Sequence, residues 1–295
     1  MNKRNEILKT YKLYVNGQFP RTESGRYYTA RNRDGLALAN VCLGSRKDFR
    51  DAVVAARKAF PGWSGRPAYN RGQILYRIAE MLEARKGQFI EELLLQDSNA
   101  EAARSEVETS IDRLVYYAGW CDKYTAVFST VNPVASSHFN FSVPEPTGVV
   151  AAIAPQGTSL LGLVSLIAPV IAGGNTVIIL GSQTKPLCCI SFGEIVHTAD
   201  LPAGVVNILT GDPTELSPVF AEHLDVNALA YGDENPGQVR LLQESAALNV
   251  KRMKAYTDRD WWQESANDPY LIMDFQEIKT TWHPVESSLE GGGKY

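Results

Sequence analysis

Residues Pro146–Pro186 read PTGVVAAIAPQGTSLLGLVSLIAPVIAGGNTVIILGSQTKP, and LPAGVVNILTG (201–211), ALAYGDENPG (228–237) and LNVKRMKAY (248–256) continue the pattern. Short apolar runs alternate with longer helix-like runs, the signature of a parallel α/β sheet. The pattern predicts strands over Val149–Ala154, Thr176–Leu180, Val205–Leu209 and Ala228–Tyr231, with a fifth over Val250–Tyr256. Helices over 160–172, 187–199, 214–223 and 237–247 are long enough to serve as the crossovers that parallel strands require.

Working outward, YKLYVNGQ (11–18) carries an Asn-Gly turn and predicts a small edge hairpin, and Gly35 to Leu43 predicts another short strand. Ser45 is a candidate N-cap for a helix that carries Phe49, Val53, Ala56 and Phe60 on one face and stops at Pro61-Gly62. Pro67 opens a second helix, Phe89–Leu95 continues the helical pattern, and Glu101–Tyr124 makes a long last helix. Between Thr125 and Val143 the period changes to two. Val127 is expected to begin one strand, and Phe139, Phe141 and Val143 to share one face of a second. The apolar face of that hairpin needs cover. After Tyr256 the chain turns polar (DRDWWQESANDP, 258–269), then Tyr270–Phe275 and Ile278–His283 look like strands. The Gly-rich tail 286–295 is expected to be disordered.

Composition narrows the function classes. Of 295 residues, 44% are hydrophobic and 21% charged, with a net charge of −4, which fits a globular protein and asks for neither nucleic acid nor an acidic membrane surface. The most apolar segment, Leu160–Ala172, is too short to span a bilayer, and the first residues have no apolar signal-peptide core. Cys42, Cys121, Cys188 and Cys189 form no C-x-x-C pair and read as free thiols in a reducing compartment, so a cytoplasmic location is expected. The four histidines are scattered and give no metal-ligand spacing.

The segments also form an ordered series. YVNGQF (14–19), SGRYYTARN (24–32), FRDAVVAARKAFPGWS (49–64), NRGQILYRIAEMLEARKGQFIEELLLQDS (70–98), EPTGVVAAIAP (145–155), AGGNTVIIL (172–180), LPAGVVNILTG and the final FQEIKTTW (275–282) together resemble the coenzyme-binding half of the aldehyde dehydrogenase superfamily. The resemblance implies a Rossmann-like parallel sheet with an N-terminal helical block and an antiparallel oligomerisation arm. It divides the chain into an α/β domain over 1–124 and 144–262 and an arm over 125–143 plus 270–285. In the family a separate catalytic domain follows the general-base glutamate. About forty residues follow Tyr256, fewer than a folded domain needs, so that catalytic domain is expected to be absent.

Mapped residue by residue, the family's chemistry falls on unsuitable side chains. Its Trp-Asn, whose amide stabilises an oxyanion, falls on Gln156 and Gly157. Its Lys-Pro-Ser-Glu, which contacts the adenosine ribose, falls on Leu180, Gly181, Ser182 and Gln183, with Lys185 in a different register. Its pyrophosphate-facing Phe-Thr-Gly-Ser falls on Ala230-Tyr231-Gly232-Asp233, with Gly237 keeping the glycine spacing. Asp233 and Glu234 there would repel a pyrophosphate by on the order of 1 kcal/mol or more per pair, and they suit the first turn of the following helix. The general-base glutamate falls on Tyr256, a poor base because a phenol titrates near 10. No cysteine occurs after Cys189, and Cys188 and Cys189, at a helix start, lie on the wrong domain for the family's nucleophile.

The resemblance therefore implies a catalytically inactive structural or regulatory subunit, similar to the non-catalytic second half of family-16 aldehyde dehydrogenases. It would assemble with itself or with a full-length aldehyde dehydrogenase through Phe128, Phe139, Phe141, Val143, Thr281 and Trp282. No cofactor is expected, or NAD or NADP if any. The alternatives are NAD(P)-dependent aldehyde dehydrogenase activity, alone or completed by a partner subunit, and a nucleotide-sensing module that keeps the old crevice.

Overall fold

The computed structural model describes residues 7–285. Its centre is a five-stranded parallel sheet of β6 (Val149–Ile153), β7 (Thr176–Leu180), β8 (Val206–Leu209), β9 (Ala228–Tyr231) and β10 (Arg252–Ala255), in the order β10-β9-β6-β7-β8. Every residue of β6 to β9 is buried, which is why these strands read as unbroken apolar runs rather than alternating ones.

One face of the sheet is covered by α1 (Arg46–Ser64) and α8 (Pro213–Glu222), where Phe49 and Phe220 stack at 3.9 Å. The other is covered by α6 (Leu161–Ala172) and α7 (Leu187–Thr198). Over those lies a further layer of α2 (Ala68–Ala84), α3 (Lys86–Leu95) and α4 (Ala100–Trp120). All twelve residues of α6 are buried, so its sequence is apolar all round because it is sandwiched between sheet and helices. The remaining crossover helix, α9 (Pro236–Ala247), sits at the sheet's margin with only Leu242 and Ala246 buried.

Near the N-terminus, β1 (Thr10–Tyr11), β2 (Tyr27–Arg31) and β3 (Ala37–Cys42) make a small sheet. The Asn16-Gly17 turn expected within 11–18 is present, with both residues at positive φ, but its flanks make only isolated bridges, one of them from Tyr14 to Ile208 of β8. Ser45 caps α1 in a full capping box with Asp48. That helix does not stop at Pro61-Gly62. It continues to Ser64, because the buried Trp63 anchors its last turn by donating Nε1 to Ile171 O at 3.0 Å.

The arm departs further from expectation. Val127 begins no strand: Tyr124–Phe128 is a short helix, α5, and Phe128 packs between Trp120 (6.5 Å) and Tyr270 (5.1 Å). Phe128, expected on the arm's interface, thus belongs to the edge of the core. Tyr270–Met273 is a helical turn, α10, rather than a strand, since Leu271 and Ile272 both turn inward. The arm itself is β4 (Thr130–Asn132), β5 (His138–Pro146) and β11 (Gln276–Pro284), antiparallel in the order β11-β5-β4. Its more buried face is polar. Asn132 Nδ2 donates to Asn140 Oδ1 at 2.6 Å and Ser142 Oγ at 2.9 Å, and Ser142 and Thr280 share a hydroxyl bond at 2.8 Å. Phe139, Phe141, Val143 and Thr281 occupy the opposite face, and Trp282 stands beyond Asn140 on the polar one. The tail 286–295 lies outside the described residues.

Candidate functional site

The sheet grows from β6 in both directions, toward β7 and β8 on one side and β9 and β10 on the other. Strand order therefore reverses between β6 and β9, and the carboxyl ends of these two strands are where an open α/β sheet presents a crevice. Gln156 and Gly157 follow β6, Gln183 follows β7, Gly232 and Asp233 follow β9, and Tyr256 follows β10. The fold brings these marked positions to one edge.

Gln156, Gln183 and Asp233 are joined through Gln156. Gln156 Oε1 accepts the Gln183 amide at 2.8 Å, and the Gln156 amide donates to Asp233 Oδ1 at 3.2 Å. The Gln156 carbonyl accepts Ser182 Oγ at 3.1 Å and Thr184 Oγ1 at 2.7 Å, and Lys185 Nζ donates to Gly157 O at 2.9 Å. Gln156 thereby clamps the loops after β6, β7 and β9 together. Leu180 is fully buried and points no group at the crevice. A Cβ added at Gly157 would meet nothing, whereas one at Gly232 would press on Leu166, Pro155 and Ile153 O.

The N-terminus of α9 is already satisfied. Asn235 is its N-cap and accepts the Gln238 amide at 3.2 Å, and Pro236 in the first turn has no N–H to offer. Asp233 and Glu234 thus precede the cap rather than filling the first turn, so the dipole does not account for them. Gly237 is exposed within that turn. These groups fit a dinucleotide poorly: the ribose-facing positions carry a buried leucine and a neutral glutamine where the family has a lysine and a glutamate, and the helix end that would meet pyrophosphate is capped and flanked by carboxylates.

Tyr256 is nearly buried, and its hydroxyl donates to Asp274 Oδ2 at 2.9 Å. Burial first, then the Asp274 charge, raises its titration well above the ordinary phenol range, which removes it as a base. Cys188 and Cys189 are fully buried on α7. Desolvation pushes Cys188 well above a free thiol and Cys189 up to about 12, so the helix start does not activate them.

Residues 256–275, between β10 and β11, form a strap beside the crevice. Arg113, 1% exposed on α4, donates Nη2 to Trp261 O at 3.0 Å and Nη1 to Ala266 O at 3.2 Å and Ser165 Oγ at 3.0 Å. Tyr117 donates to Asp268 O, and Arg259 pairs with Asp268 at 3.0 Å beneath the Tyr256 and Trp261 rings. Between strap and loops is a hollow of about 500 Å³, lined among others by Gly157, Asp233, Glu234, Asp258 and Trp262. Glu106, 2% exposed, accepts the amides of Ser159 (2.8 Å), Leu160 (2.8 Å) and Leu161 (3.2 Å) with one oxygen and so caps α6 from another helix. Sequence reasoning passed over Glu106 and Arg113. The available signal was their spacing of seven residues, in phase with the apolar stripe of α4.

The aldehyde dehydrogenase family model matches residues 21–256. The chain belongs to the aldehyde dehydrogenase family. It is 32% identical over 252 residues to the cytosolic 10-formyltetrahydrofolate dehydrogenase of Xenopus tropicalis, covering 82% of this chain and 28% of that protein. Against the mitochondrial benzaldehyde dehydrogenase of Antirrhinum majus it is 33% identical over 247 residues, covering 81% and 45%. PnpE from Pseudomonas sp. WBC-3, solved in complex with nicotinamide adenine dinucleotide, superimposes with a TM-score of 0.79 at 28% identity, over 83% of this chain and 50% of that one. The chain thus spans half or less of the length of these relatives. Among the described residues no helix is long and apolar enough to cross a membrane.

Proposed function

We propose that this chain is a catalytically silent aldehyde dehydrogenase family member, a structural or regulatory subunit that assembles with itself or with a full-length aldehyde dehydrogenase. The observation that carries the reading is the Gln156 clamp, which ties the loops after β6, β7 and β9 to one another across the place where a coenzyme would lie, through the Gln183 backbone amide and the Asp233 carboxylate. The twenty residues from Tyr256 to Phe275 support it, since they connect β10 to β11 as a strap with no room for a domain that could supply a cysteine. The buried, proton-holding thiols of α7 support it again. The arm supplies the docking surface through Phe139, Phe141, Val143, Thr281 and Trp282, with the outer edge of β11 unpaired among the described residues. A reducing compartment suits the four free thiols, and a cytoplasmic location belongs to the same reading.

The test has two parts. NADH or NADPH formation is followed by absorbance with a panel of aldehydes, for the chain alone and mixed with full-length family members. Absence of turnover by the chain alone, with co-migration of a full-length member in native mass measurements, is the expected result. Turnover by the chain that Cys188→Ser/Cys189→Ser abolishes would overturn it. One observation favours a second reading, a ligand-sensing module: the hollow of about 500 Å³ beside Gly157 and Trp262 is large enough for a small molecule. Calorimetry with NAD and NADP separates the two, since micromolar affinity favours sensing.

A further inference from the structure

We propose that the outer face of the small N-terminal sheet carries a site for a small phosphate monoester. In that sheet Thr10 stands opposite Asn40 and Tyr27 opposite Cys42, so these four residues share one face. Tyr11, Val41 and Ala30 turn to the other face and join the core. Over the outer face runs the loop 20–26. Between loop and sheet is a cavity of about 230 Å³, lined by those four residues with Arg21 and Arg26. Its lining shares no residue with the hollow beside the crevice.

The loop is anchored on both sides of the cavity. Leu13 N donates to Pro20 O and Leu43 N to Arg26 O, each at 3.0 Å, which fixes the two ends of the loop. Its middle is fixed by Thr22, whose hydroxyl donates to the buried Asp48 at 2.6 Å, and by a turn in which Gly25 N donates to Thr22 O at 3.1 Å. Walls held in this way stand before any ligand arrives, so binding has little ordering to offset.

The lining selects an anion. Among the described residues its charged side chains are Arg21 and Arg26, and no carboxylate lines it. The neighbouring carboxylates are engaged elsewhere. Asp48 accepts Thr22 Oγ1 and Ser45 N, Glu23 accepts Ser45 Oγ at 3.0 Å and pairs with Lys47 at 3.7 Å, and Glu215 pairs with Arg26 Nη2 at 2.9 Å. Asn40 Oδ1 accepts Thr29 Oγ1 at 3.4 Å, which leaves the Asn40 amide nitrogen to donate. That nitrogen, the Thr10 hydroxyl and the Arg21 guanidinium have no partner among the described residues. These donors come from β3, β1 and the loop rather than from one plane. They suit the three terminal oxygens of a phosphate monoester better than the two of a carboxylate. The Tyr27 ring, 61% exposed on the rim, offers a flat surface to the ester group. The site needs no assumption about the arm or the crevice.

The experiment is calorimetry on the full chain with phenyl phosphate, inorganic phosphate and benzoate as probes. Circular dichroism is the folding control, and Arg21 and Tyr27 are both exposed. Phenyl phosphate is expected to bind one to one with a dissociation constant of about 1 mM or tighter. Inorganic phosphate, without a ring to lay on Tyr27, is expected to bind about threefold more weakly, and benzoate about tenfold more weakly. Arg21→Ala is expected to weaken phenyl phosphate about tenfold or more, and Arg21→Lys less, since a point charge keeps part of the attraction. Tyr27→Ala is expected to erase the difference between phenyl phosphate and inorganic phosphate. Four results would overturn the proposal. One is no saturable binding of phenyl phosphate up to about 20 mM. Another is binding that Arg21→Ala leaves unchanged. The third is benzoate binding as tightly as phenyl phosphate. The fourth is binding that Trp262→Ala abolishes, which would place the ligand in the hollow beside the crevice instead.

Discussion

At the carboxyl edge of the parallel sheet, Gln156 is hydrogen-bonded to the Gln183 backbone amide and to Asp233, and Tyr256 to Asp274, whereas on the arm Val131, Phe139 and Trp282 stand 63%, 48% and 55% exposed. The first region has tied its loops together through internal bonds. The second is tied together too, through the Asn132–Asn140–Ser142–Thr280 ladder, but leaves aromatic surface and one strand edge open. A crevice that keeps a ligand role should hold donors in reserve, and a surface without a docking role should not hold apolar area in reserve. The proposed reading rests on this contrast, and the two regions can be perturbed separately.

The largest effect should come from the buried thiols. Burial pushes Cys121 and Cys189 up to about 12 and Cys188 well above a free thiol's 9. Below pH 9 both folded and unfolded chains hold these protons. Above it the unfolded chain releases them first, so it binds fewer protons and stability falls as pH rises from 9 toward 12. By pH 10.5 the loss is about 2 kcal/mol per buried thiol, read from urea midpoints. A flat profile, with rapid labelling of Cys188 or Cys189 by a disulfide reagent at pH 8, would mean accessible thiolates and break the contrast from the enzymatic side. Arg113→Ala comes next. It strips three acceptors of a buried donor and should cost about 3 kcal/mol, with faster hydrogen exchange across Trp261–Asp268. If the strap keeps its protection, Arg113 is not what holds it beside the crevice.

Much of this was legible before the structure. The alternating runs placed Thr176–Leu180 and Ala228–Tyr231 to the residue, because strands buried on both faces leave no polar positions to blur their ends. The edge positions Gln156, Gly157, Gln183, Asp233 and Tyr256 followed from the segment order. Sequence could not supply their partners. Asp274 lies eighteen residues beyond Tyr256, and the Gln156–Gln183 bond spans twenty-seven, so both depend on how the loops close. The arm misled for a physical reason: a period of two reports which residues share a face, not which face is covered. Phe139, Phe141 and Val143 do share one, but the covered face is that of Asn140 and Ser142. Phe128 was misplaced because its partners, Trp120 and Tyr270, come from either side of the chain's long detour through the parallel sheet.

Two smaller perturbations sharpen the contrast. Gln156→Ala removes the acceptor of the Gln183 amide at a half-buried site and should cost about 1 kcal/mol. Calorimetry should still find no dinucleotide binding, because Leu180 and the capped end of α9 are unchanged; binding that appears on removing Gln156 would show that the clamp alone had blocked a competent crevice. Phe139→Ser/Trp282→Ser on the arm should change unfolding stability least, by about 0.5 kcal/mol or less, because both side chains are half-exposed and each lies beside a ladder that the substitutions leave intact. The same variant should nonetheless abolish co-migration with a full-length aldehyde dehydrogenase, since an aromatic anchor contributes to an interface in proportion to what covers it there rather than to what it touches in the free chain. A pair of substitutions that unfolds the chain would show the aromatics to be core, and one that leaves both stability and assembly untouched would return the arm to an ordinary solvated surface.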